Sequence, residues 1–170
     1  HWTSPAGRAL RYVEKRFAAM DRPDRVWAQY MLEPLNCAGT LEVRAEVDAT
    51  TTTHLDAEPQ QLYDVTDVCA AGARGVGVAV RGHWLGARAA FASAINAPDA
   101  PEDAYRVDAS GDRPSVTVSL PLVQDRLVYV ERCGAFATSR RVHEPLDHVV
   151  QIAETGLAEG WGAARVAHGA

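Results

Sequence analysis

Lysine is almost missing from this chain: Lys15 stands alone against sixteen arginines among 17 basic residues. That skew, in a chain also rich in alanine, reads as a base-composition bias and not as a binding signal. Cysteine is scarce too. Cys37, Cys69 and Cys133 are odd in number and widely spaced, which excludes a disulfide framework and the CxxC pairs of a structural zinc site. Reduced thiols in a cytoplasmic protein are the plain reading. No apolar run approaches the ~18 residues of a membrane helix, and no signal-peptide pattern opens the chain. The net charge of −5 gives no electrostatic reason for a nucleic-acid partner. The glycines of "GARGVGVAV" form neither a GxGxxG before a helix nor a GK[ST], so no phosphate loop is supported. Internal repeats and low-complexity linkers are lacking as well.

What is present is one domain's worth of chain. The 170 residues can bury a sizeable core, and 47% hydrophobic with 23% charged residues is a globular balance. "GTLEVRAEVDA" from Gly39 is the clearest element: Leu41, Val43, Ala45 and Val47 alternate with Glu42, Arg44, Glu46 and Asp48. Period two means one face buried and the other wet. The same test marks "RALRYVEKRFAAM", "RVWAQYMLEPL", "QQLYDVTDVCA", "GVGVAVRG", "HWLGARAAFASAI", "SVTVSLPL" and "DRLVYVERCGAFAT". "DRPD", "NCAG", "AAGARG" and "SGDRP" punctuate them as turns. About eight strands without clear helices between them predict an antiparallel β-sandwich. In the last strand Val128, Val130, Arg132 and Gly134 oppose Tyr129, Glu131, Cys133 and Ala135, an alternation too imperfect to assign a buried face.

The period changes after Val142. Leu146, Val149, Val150, Ala153 and Leu157 share one helical face, Pro145 suits a first turn and Gly160 a helix end. "WGAARVAHGA" reads as the start of a second helix. The division expected is a β-sandwich over 1–142, its N-terminal strands missing, and linker helices over 143–170 leading to an absent helical barrel. His1 in place of Met points the same way, to a fragment.

Candidate chemistry is thin. The carboxylates are spread over strand faces and turns, with no pair placed across a cleft as a glycosidase needs. His143 and His148 are five apart, a poor match to one helix face. His54 and Asp56 could chelate from one side of a strand, but two ligands are not a site. Cys133, Thr138 and Ser139 lie close together without a base. Of Trp2, Trp27, Trp84 and Trp161, Trp27 reads as core. Trp84, after Gly82 and His83 at the expected start of a strand, is the best candidate to lie exposed and stack on a sugar ring.

The chain resembles the N-terminal domain of glycoside hydrolase family 65, which includes maltose, trehalose and kojibiose phosphorylases and related trehalose hydrolases. The resemblance rests at one end on Trp2, Thr3, Pro5, Gly7, Arg16, Phe17, Tyr30, Pro34, Leu35, Asn36 and Gly39, in order and spacing. At the other it rests on Thr138, Ser139, Arg140, Pro145, Gly160, Trp161 and His168. Arg141 departs from it, since an aspartate is usual there, and Trp161 replaces a phenylalanine.

The resemblance implies a partial super-sandwich followed by linker helices, packed in the parent protein on an (α/α)6 catalytic barrel. The parent would be an inverting α-glucoside phosphorylase or hydrolase acting on disaccharides such as trehalose or maltose. Inorganic phosphate would be a substrate in the first case, and no cofactor is implied. This part would carry no catalytic residue and no metal. It would shape the access of substrate to the barrel and contribute to a homodimer. An exposed apolar patch on the sandwich and on the Leu146–Leu157 helix is then expected, and the charge reversal at Arg141 predicts an altered partner at the junction. An independent carbohydrate-binding β-sandwich using Trp84 is the alternative.

Overall fold

The computed structural model describes residues 1–55 and 58–169. Its frame is a seven-stranded antiparallel sheet in the order β1 (Trp2–Thr3), β2 (Ala9–Ala18), β3 (Arg25–Pro34), β12 (Val128–Thr138), β9 (Arg88–Asn96), β8 (Gly75–Gly82) and β7 (Tyr63–Ala71). A three-stranded sheet, β10 (Tyr105–Asp108), β11 (Ser115–Leu122) and β4 (Gly39–Glu46), packs on one face of it. The short β5 (Thr53–Leu55) and β6 (Glu58–Gln60) form a ribbon of their own. Helix α1 (Pro145–Gly169) covers the opposite face of the large sheet.

The alternating stretch from Gly39 folds as read. On β4 and β11, Leu41 pairs with Leu120, Val43 with Val118 and Ala45 with Val116. Their inward side chains meet Ile95, Val128 and Val130 of the large sheet in one apolar cluster. The second cluster lies under α1. There the floor is made of small residues: Gly77 on β8, Ala90, Ala92 and Ala94 on β9, and Ala135 and Ala137 on β12. A β-carbon on Gly77 would lie 2.9 Å from Val150 Cγ2. Small side chains let the helix axis sit close and press Val149, Ile152 and Ala153 into the sheet. These five alanines are therefore a packing device.

The broken alternation of β12 has the same origin. Val128 and Val130 point at the small sheet, whereas Cys133, Ala135 and Ala137 point at α1. One strand buries opposite faces in its two halves, because its two covers overlie different ends.

Three expectations change. The described residues hold twelve strands, not eight: β1, β5, β6 and β10 are too short to show a period. The segment His83–Ala87 is a turn joining β8 and β9, and the strand begins only at Arg88, so Trp84 is not at a strand start. The apolar side of the first part of α1 is used on the sheet, leaving Asp147, Gln151, Glu154 and Glu159 outward, so the expected apolar patch there is missing. Gly160 ends that part as expected. It is kinked at φ 79° and ψ 159°, and a second helical segment follows.

Candidate functional site

Trp84 stands at a hairpin tip. Gly82 N donates to Ala87 O at 2.9 Å and Gly86 turns the chain at φ 61°, pushing Trp84 and Leu85 outward at 82% and 81% exposure. Trp84 joins no aromatic pair among the described residues. Cys133 is the reverse case. It has no exposed surface, and burial, opposed by the nearby Arg25 charge, pushes its thiol up to about 12. It is no nucleophile at neutral pH. Ser139, placed near it in sequence, clasps β9 instead: its Oγ accepts from Arg88 N at 3.1 Å and its N donates to Arg88 O at 2.8 Å.

The histidines do not converge. His143 lies exposed, its Nδ1 2.9 Å from Glu144 Oε1. His148 Nε2 lies 3.0 Å from Asp24 Oδ2, tying α1 to the β2–β3 turn. Asp56, and with it the His54–Asp56 pair, falls outside the described residues. Among the described residues no three His, Cys, Asp or Glu side chains gather as metal ligands, and no helix is long and apolar enough to cross a membrane.

The residues of the two terminal motifs are braces. Asn36 Oδ1 accepts from Ala9 N at 2.7 Å and its Nδ2 donates to Gly7 O at 3.0 Å, stitching the start of β2 to the end of β3. Trp161, held past the Gly160 kink, packs on Phe17 and edge-on to Trp27, and His168 stacks on Phe17 at 4.7 Å. Buried Arg25 pairs with Glu159 just before the kink. Arg141 is exposed and makes no ion pair among the described residues.

Two surfaces remain open on the face that bears the small sheet, because three strands cannot cover seven. One is apolar: Phe91 on β9 and Phe136 on β12 sit ring to ring at 4.9 Å, with Val26 nearby, all substantially exposed. The other, over β2, β3 and β12, is polar and aromatic, with Tyr12, Glu14, Arg16, Tyr30 and Arg132.

The sequence profile of the glycosyl hydrolase family 65 N-terminal domain matches residues 1–170. The chain belongs to that family. Among solved structures, a protein described as a kojibiose phosphorylase from the human microbiome superposes with a TM-score of 0.70 at 12% identity. The match covers 94% of this chain and 20% of that one, so the family 65 domain described here spans about a fifth of its structural relative. No curated protein matches the sequence.

In the family 65 domain, the sequence led to the expectation of an apolar patch on the sandwich without naming its residues, and to no expectation of the polar surface. The signal for the polar one was available: Tyr12, Glu14 and Arg16 are alternate residues of "RYVEKRF", hence one side of a strand. Phe91 and Phe136 carry no such mark, since their exposure depends on how far the small sheet reaches.

Proposed function

We propose that this chain is the non-catalytic N-terminal sandwich of an α-glucoside phosphorylase or hydrolase of family 65. It packs on the protein's catalytic barrel and shapes the access of a disaccharide such as trehalose or maltose. The Phe91–Phe136–Val26 surface carries this reading. Exposed paired phenylalanines on a sheet face mark an interaction surface in a soluble domain. The family match over the full chain and the scattered ionisable groups support it. The three unpaired cysteines suit a cytoplasmic location, and the hairpin tip of Trp84 and Leu85 is available to a second copy or to the barrel.

The test uses the full-length protein. Phe136→Glu is expected to loosen the domain, read as faster proteolysis of the junction beyond residue 170 and lower disaccharide turnover. The 170-residue chain alone is expected to turn over neither maltose nor trehalose, with or without inorganic phosphate. Turnover by that chain, or a junction indifferent to Phe136→Glu, would overturn the reading.

A further inference from the structure

The polar and aromatic surface is a built groove. Two cavities of about 510 and 250 Å³ share Tyr30 and Arg132 as lining, together within the range of small-ligand sites. Arg16 and Val26 line one end, Tyr12 and Arg44 the other. The rings of Tyr12 and Tyr30 lie within 25° of parallel with centroids 6.3 Å apart. Tyr12 donates to Glu14 Oε2 at 2.8 Å, and Arg16 donates to the other carboxylate oxygen. Those bonds hold the Glu14 carboxyl below its usual range, so it stays a charged acceptor. Arg132 is fixed from behind, with Nε on Ser93 Oγ at 2.8 Å and Nη2 on Glu46 O at 3.3 Å.

The chemistry of these groups selects an occupant. Guanidinium and carboxylate are planar two-pronged groups, and side by side they match neighbouring hydroxyls that both donate and accept. Aromatic faces next to them suit the apolar C–H face of a pyranose. A strongly anionic ligand fits less well, because Glu14 already answers Arg16 and Glu46 answers Arg44, 2.8 Å away. We propose that this groove binds a neutral saccharide of one or two pyranose rings, by Tyr12 and Tyr30 stacking and by hydrogen bonds to Glu14, Arg16 and Arg132. This is an activity beyond docking on a barrel, and its place is not Trp84, which stands at an exposed hairpin tip and lines neither cavity.

Titration of the 170-residue chain with maltose, followed by NMR, tests it. Saturable binding is expected. Tyr12→Ala and Arg16→Gln, both at exposed positions that leave the core intact, are each expected to weaken it about tenfold. Tyr12→Phe, which keeps the ring, is expected to weaken it less, and Trp84→Ala not at all. Far-UV circular dichroism of each variant controls for folding. No saturable binding, binding indifferent to Tyr12→Ala and Arg16→Gln, loss in Trp84→Ala, or saturation by inorganic phosphate in place of maltose would each overturn the proposal.

Discussion

Cys133 shows how far a residue's chemistry is set by what covers it. Its sulfur lies between Trp27 and the helix, and burial lifts its thiol from 9.0 to about 12. A raised acid pKa means that the fold favours the protonated form. The stability tied to that preference is full below about 9 and is lost as pH rises from 9 towards 12. At pH 8, iodoacetamide is therefore expected to spare Cys133 in the folded chain and to label it once denaturant is added, as peptide mass mapping would show. Rapid labelling of Cys133 in the native state would contradict its placement. Arg25, nearly as buried, depends on Glu159 for its charge balance, and its Nε has no hydrogen-bond partner among the described residues.

Helix α1 depends on two glycines for two different reasons. At Gly156 the need is space: a β-carbon there would come within 2.5 Å of Cys133 Sγ. At Gly160 space is free, and the need is conformational, because φ 79° with ψ 159° is a backbone region nearly reserved for glycine. Gly156→Ala and Gly160→Ala are each expected to cost about 1–3 kcal/mol in denaturant melts. Cys133→Ala added to the first should recover part of the loss and added to the second none; equal recovery in both would refute the distinction. The elements differ in how plainly they could be read. β4 and the first part of α1 each bury a single face against a single neighbour, so their periods are clean. β12 buries two faces in succession, so its period marks a strand without assigning a face, and β10, only four residues long, shows no period. The groove was legible only as the alternation of Tyr12, Glu14 and Arg16. Tyr30 and Arg132 join it through the pairing of β2 with β3 and of β3 with β12, which no local pattern encodes.

At the scale of the whole molecule, the unequal sheets decide what is inside. Where the small sheet lies over the large one there is a core, where α1 lies over the alanine floor there is another, and the outer strands β1 and β2 with the Phe91–Phe136 patch stay largely open. β12 belongs to both cores and is hydrogen-bonded along both edges, to β3 and to β9. Neither core can open by peeling away its own cover and still release that strand. Its backbone amides therefore sample the solvent only when the entire domain comes apart. In deuterium exchange, the amides of Val130–Ala135 are expected to be the slowest in the chain, with a common opening free energy equal to that of global unfolding. Faster exchange there than in β4 would mean that the two cores open separately. If they do not, the domain has a single clock, and this one strand sets it.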